Sequence, residues 1–222
     1  MLSHATRQRF DEQLAALQQD VARMGAIAAE AVDSATRALA ERRTDICDRV
    51  MDLENQIDAL NVSIESNAIQ LLALQQPMAR DLRTIAGVLR IISDIERIGD
   101  YSVDICRQAR ALAGQALFAP LVDIPRMALL VQEMLSSALR AFVEMDLDLA
   151  TSSVKQDDEV DRIYRNLHQQ LIGHIKRDPS LAPQAIALLL VATYLERMAD
   201  HVTNIGERVW FIQTGVLKEL HE

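Results

Sequence analysis

Residues 90–109 read RIISDIERIGDYSVDICRQA, and residues 190–209 read LVATYLERMADHVTNIGERV. Laid over one another at an offset of 100, they share Glu96/Glu196, Arg97/Arg197, Asp100/Asp200 and Ile105/Ile205, and Asp104 is answered by Asn204. Oxygen-bearing side chains four apart on a helix stand one turn above another on the same side. One such row is common in helical sequence and reads as a solvated, salt-bridged face. A second copy at a fixed interval calls for a structural reason.

The repeat extends outward from this stretch. Arg23-Met24 matches Arg126-Met127, Glu41 and Asp45 match Glu144 and Asp148, and Glu54 and Asp58 match Asp157 and Asp161, all at an offset of 103. The fall from 103 to 100 places a three-residue loss around Asp178-Pro179-Ser180. Before the break at 114–125 (GQALFAPLVDIP), the spacing predicts three helices. The first carries Leu14, Leu17, Val21, Met24, Ala28, Ala31, Ala35 and Leu39 in steps of three and four, the period of a bundle seam. It ends near Glu41–Thr44, with Thr44 expected to cap the next helix, from about Asp45 to Leu74. Pro77 is expected in the first turn of the third helix, which runs to Ala113 with Ile85, Val88, Ile92 and Ile95 on its seam. Asp123 is the expected cap of the fourth.

The fold class predicted is therefore all-α: two tandem three-helix bundles, residues 1–113 and 126–222, joined by a linker at 114–125. Seven Gly and five Pro in 222 residues, few aromatics and no β-branched alternation agree with helices. Two copies are too few for a solenoid.

The net charge of −9 argues against a nucleic-acid partner and suits cations or a basic protein surface. Cys47 and Cys106 form no zinc pattern and read as reduced core thiols. The N-terminus lacks an apolar signal region. The longest charge-free run, Pro179–Leu195, is 17 residues with two prolines, short for a membrane span. A soluble, cytoplasmic protein is expected.

The candidate site residues are Glu54, Asp58, Glu96, Asp100 and Asp104 in the first repeat, and Asp157, Asp161, Glu196, Asp200 and Asn204 in the second. A row at i, i+4, i+8 drifts about 40° per step. Starting beside Ile92, the row 96, 100, 104 walks from the edge of the apolar stripe toward solvent, along a groove of the bundle. Two converging rows need an offsetting charge. Metal ions are one solution, carboxylate and amide oxygens suiting hard cations and mixed O/N sets suiting iron or manganese; arginines such as Arg97 and Arg197 are the other. A ferritin-like di-iron site calls for Glu-x-x-His, which is absent, as are the Walker loop, GxGxxG, GxSxG and HExxH. His201, beside the second row, has Tyr101 as its counterpart.

The segments LLALQQPMARDLRTIAGVLRIISDIERIGDYSVDIC (71–106) and YLERMADHVTNIGERV (194–209), with FDEQLAALQQDVARMG (10–25) and KQDDEVDRIY (155–164), resemble the signature regions of the PhoU family. The resemblance implies pseudo-two-fold symmetry and a non-enzymatic, negative regulatory role in the phosphate-starvation response. It implies as partners the ATPase subunit of a phosphate ABC importer and a sensor histidine kinase, with a homodimer and only indirect membrane association. It also implies iron or zinc on the (E/D)xxxD motifs; the donor chemistry itself admits manganese or magnesium. The family pattern has His after the motif Asp and Asn four residues beyond it, as at His201 and Asn204, where the first repeat has Tyr101 and Asp104. Two other readings compete: a metal-handling bundle, and a structural scaffold with solvated rows.

Overall fold

The computed structural model describes residues 4–75, 77–118 and 122–220. It contains helices α1 (His4–Ala40), α2 (Ile46–Gln75), α3 (Arg80–Leu112), α4 (Asp123–Glu144), α5 (Leu147–Lys155), α6 (Asp157–Arg177) and α7 (Ala182–Thr214), with a 3-10 turn, Pro179–Leu181, leading into α7. No strand occurs among the described residues. The fold is all-α, built of two repeated helical units.

The seam expected on α1 is the one that is buried. Leu17, Val21, Met24, Ala28, Ala31, Ala35 and Leu39 are essentially inaccessible, and Leu14 packs at their edge. The larger of these side chains contribute about 1.5–3 kcal/mol each, while the alanines let neighbouring helices approach. Ile85, Val88, Ile92 and Ile95 are likewise buried on α3.

Helix ends explain the connections. At the end of α1, Arg42 takes φ 56° and Arg43 N–H donates to Ala38 O at 3.0 Å, a left-handed closure that satisfies an orphan carbonyl. The equivalent residue of the second unit, Met145, does the same at φ 55°, with Asp146 N–H donating to Ala141 O. Asp146 then accepts from Leu149 N–H at 2.9 Å and so caps α5 directly. Thr44 lies two residues before α2, and its carbonyl accepts from Cys47 N–H. The third helix starts later than the sequence suggests: Pro77 sits in the turn, and α3 begins only after Ala79, which has φ 51°. Asp123 is the first residue of α4, so the cap position falls to Val122, which has no polar side chain to fill it. In the second unit, Asp178 alone precedes the 3-10 turn and accepts from Ser180 N–H at 3.0 Å. The three lost residues fall at this connection.

One helix is broken where continuity was expected. α2 runs unbroken, but its counterpart divides at Gln156 into α5 and α6. Gln156 stands where the first repeat has Leu53, a core residue.

Two layers result. α1 packs on α2, α3 and α4, whereas α7 packs on α3, α4, α5 and α6, and the α3–α7 contact is the most extensive. Thus α2, α3, α7 and α5/α6 stand side by side with α1 and α4 behind. α3 and α7 run antiparallel: Arg83 Nε donates to Ile212 O at 3.0 Å, Asp94 meets His201, and Tyr101 stacks on Tyr194. Each step up α3 is matched by an equal step down α7, as pseudo-two-fold symmetry requires. Gly87 permits the approach, since a Cβ there would lie 2.5 Å from Ile212 Cδ1. Pro179–Thr214 is apolar and long enough to cross a membrane by length and composition. Here it is the helix at the centre of the bundle, with Val191, Leu195, Met198, Val202 and Ile205 buried.

Candidate functional site

On α3 Ile91, Ile95, Ile98, Ser102 and Ile105 form a buried arc, and Gly99, farther round, packs against Ile57 of α2. Around the remaining arc, in angular order from the α2 side to the α7 side, come Glu96, Asp100, Asp104, Arg97, Tyr101 and Asp94. The same order on α7 puts Glu196 and Asp200 beside α6. Both acidic rows therefore lie on one face of the molecule, in the α2/α3 and α6/α7 grooves. The drift away from the apolar stripe leaves Glu54, Glu96, Asp100, Asp104, Asp157, Asp161 and Glu196 half-buried, and Asp58, Asp200 and Asn204 exposed.

The electrostatics show which carboxylates share a groove. Burial, then the charges of Asp58, Asp100 and Glu96, push the Glu54 carboxyl above its ordinary range, against a weaker pull from Arg107. Burial, Asp58 and Asp100 do the same to Glu96, against Arg97. In the other groove burial, Asp200 and Asp161 raise Glu196, with Arg197 opposing and Asp157 adding. Two tetrads thus form, Glu54/Asp58/Glu96/Asp100 and Asp157/Asp161/Glu196/Asp200. Each draws one pair from each of two helices.

Arginines offset part of this charge, and they do so at the aspartates. Arg97 pairs with Asp100 at 3.2 Å, Arg165 lies 3.9 Å from Asp161, and Arg107 donates to Asp104. Pairs this exposed contribute little. Glu96 accepts from Asn61 Nδ2 at 2.8 Å, a neutral donor that leaves its charge in place.

Asp104 and Asn204 stand apart from the tetrads. Asn204 Nδ2 donates to Asp94 Oδ1 at 3.3 Å across the α3–α7 seam, and His201 Nδ1 lies 2.8 Å from the same oxygen. With side chains only 16% and 23% exposed, Asp94 and His201 are shielded enough for the contact to hold the seam. The pseudo-symmetric contact is Tyr101 on Tyr194, ring centroids 5.7 Å apart, and burial and Asp104 raise the Tyr194 phenol. His201 tilts against Tyr101 at 5.9 Å, so one row of rings crosses the seam. Sequence reading missed Asp94, Asn61 and Tyr194; the antiparallel register, once known, points to the first and third.

All the tetrad donors are oxygens, and His201 is committed to Asp94. Such a set suits hard divalent cations better than zinc. Mutual repulsion is what an ion would relieve, so the residues fit the group in the chemistry of their donors. Among the described residues, no three His, Cys, Asp or Glu side chains converge on one point in their present rotamers. Binding an ion requires the carboxylates to turn inward.

The Ser102, Thr36 and Thr84 hydroxyls and the two thiols are structural. Ser102, Thr36 and Thr84 donate to carbonyls one turn back, and Cys47 Sγ contacts Cys106 O at 3.8 Å. Burial drives the Cys106 thiol far up, so it stays protonated and unreactive.

The sequence model of the PhoU domain matches this chain twice, at residues 21–109 and 124–209. The chain belongs to the PhoU family. Curated relatives described as phosphate-specific transport system accessory protein PhoU homologs include one from Clostridium acetobutylicum, 33% identical over 218 residues (98% of this chain, all of the relative). Another, from Synechocystis, is 36% identical over 215 residues, covering 96% of this chain and 95% of the relative. The crystal structure of PhoU from Pseudomonas aeruginosa superposes with a TM-score of 0.89 at 29% identity, covering 93% of this chain and 100% of that one. The phosphate transport system regulatory protein PhoU from Streptococcus pneumoniae gives 0.88 at 30%, covering 94% and 99%. In PhoU terms, the two domain matches contain one tetrad each.

Proposed function

We propose that this protein is an accessory protein of a phosphate ABC importer and a negative regulator of the phosphate-starvation response. It acts as an adaptor between the importer's ATPase subunit and a sensor histidine kinase, and it performs no bond-making chemistry. The observation that carries this reading is PhoU-family likeness over nearly the whole chain, with both repeats intact and their acidic rows on one face. That face is wide, acidic and rigidly backed, which suits recognition of basic protein surfaces. The protonated buried thiols, and the absence of nucleophile motifs in the sequence, support a binding role.

The tetrads are the proposed ion sites. Glu54, Asp58, Glu96 and Asp100 hold one cation and Asp157, Asp161, Glu196 and Asp200 another, from among iron, zinc, manganese and magnesium, with oxygen-only donors favouring manganese or magnesium. A bound ion supplies positive charge that clamps the two helices of each groove. The protein works in the cytoplasm, as a homodimer, and meets the membrane only through its partners.

Deleting the gene is expected to leave alkaline phosphatase expression switched on in rich phosphate. Tagged protein from phosphate-replete cells is expected to co-purify with the importer ATPase or the kinase. Normal repression in the deletion strain would overturn the regulatory role.

A further inference from the structure

The groove between the start of α1 and the end of α2 is lined by polar side chains that the fold itself does not use. Leu17 and Leu71 form its buried floor, and it holds about 320 Å³. Arg9, Gln13 and Asp20 line it from α1, and Asn67 and Gln70 from α2. None of these five makes a hydrogen bond or ion pair with another described residue. Arg7, by contrast, is paired with both Asp11 and Asp81. Arg9 and Asp20 are about 16 Å apart along the helix, too far to neutralise each other, so each is free to meet a charge from outside.

Their order along α1 decides which charges those are. Arg9, Gln13, Ala16 and Asp20 follow one another in steps of four, three and four, the spacing of an interhelical seam. The midpoint between Arg9 and Asp20 is also the midpoint between Gln13 and Ala16. A second α1 laid antiparallel about a two-fold axis at that point brings Arg9 opposite Asp20 of the partner subunit, and the reverse. The same operation sets the long Gln13 side chain over the small Ala16 of the partner subunit, while Asn67 and Gln70 offer amides to the incoming helix. Arg9 and Asp20 are the only ionisable groups among the described lining residues, so the groove is locally neutral. The chain as a whole carries −9, and its acidic face repels another copy. We propose that this groove is a dimer interface, in which α1 of a second copy of the chain lies antiparallel, held by two reciprocal Arg9–Asp20 pairs. The inference rests on the homodimer proposed above and supplies its contact surface.

Sedimentation equilibrium of the full chain tests it, with helical content and melting temperature followed in parallel to confirm folding. Arg9→Asp and Asp20→Arg each set like charges opposite one another twice per dimer, and each is expected to weaken the dimer by about 10–100-fold. The double variant Arg9→Asp/Asp20→Arg exchanges the charges and is expected to restore it. Gln13→Cys/Ala16→Cys is expected to give a covalent dimer on mild oxidation, since the native Cys47 and Cys106 are buried. If wild type is a dimer that the single variants leave intact, the groove belongs to some other occupant and the second copy is refuted, while the homodimer stands. Failure of the charge exchange to restore the dimer, or of the paired cysteines to cross-link it, refutes the antiparallel register. If wild type is monomeric throughout, this interface and the homodimer both fall.

Discussion

Replacing Glu196 by Gln is expected to stabilise the ion-free protein at neutral pH, although it removes a charged residue from the most conspicuous motif. Glu196 is half-buried and faces Asp200 on its own helix, with Asp161 and Asp157 across the groove. A like-charge pair at i, i+4 costs about 0.3 kcal/mol. Each cross-groove carboxylate adds a similar amount once solvent screening is allowed for, and Arg197 returns part of it. The net gain for Gln is about 0.5–1 kcal/mol, or about 1–4 °C in melting temperature for a chain of this length. The pH dependence has a definite sign. The folded-state pKa of Glu196 is raised above the ordinary 4.5, so the folded state holds this proton more tightly than the unfolded one. The penalty is absent below the unfolded value, grows as pH climbs past it, and is complete above the raised folded value. Urea and thermal unfolding in EDTA at pH 4.0 and 7.5 measure it: the variant's advantage should be present at 7.5 and vanish at 4.0. Saturating Mn²⁺ at pH 7.5 should reverse the order, because only wild type keeps the full donor set. A Gln variant less stable than wild type in EDTA at pH 7.5, or an advantage unchanged at pH 4.0, would refute the like-charge account.

Two other perturbations probe the packing that holds the grooves. Gly206→Ala places a Cβ 2.8 Å from Val154 Cγ2 and 3.3 Å from Ala150 O; overpacking there should cost about 1–3 kcal/mol. Gly173→Ala, on α6 with nothing within 4 Å of the added carbon, should instead gain about 0.5–1 kcal/mol from helix propensity, and calorimetric melting of the pair checks both signs. A double-mutant cycle of Asp94→Ala and His201→Ala should return a coupling of about 1 kcal/mol; strict additivity would deny that this contact ties the repeats.

The repeats were legible because burial obeys the helical period: the α1 seam and the α3 isoleucines are the residues that vanish from solvent. The carboxylate rows were legible as groove-edge features for the same reason. Longer-range relations were not. Asp94 and His201 are 107 positions apart, and nothing in local spacing pairs them. That pairing also draws the Asn204 amide to the seam, although its place in the i, i+4 row suggested a member of the tetrad. Gln156 is a competent helix former, so propensity gave no sign of a break; tight packing of α5 on Gly206 is a tertiary effect. Pro77 misled by one turn because the backbone bends at Ala79, a residue with no intrinsic preference for positive φ.

The central claim is that the face formed by α2, α3, α7 and α6 is the surface through which this protein meets its partners. Hydrogen–deuterium exchange of the ion-loaded protein, with and without the purified importer ATPase subunit, tests it most directly. Slowed exchange should appear on those four helices, around 54–61, 96–104, 157–165 and 196–204, while the outer backs of α1 and α4 remain unchanged. Protection confined to α1 and α4, or no complex with either the ATPase or the kinase, would contradict it.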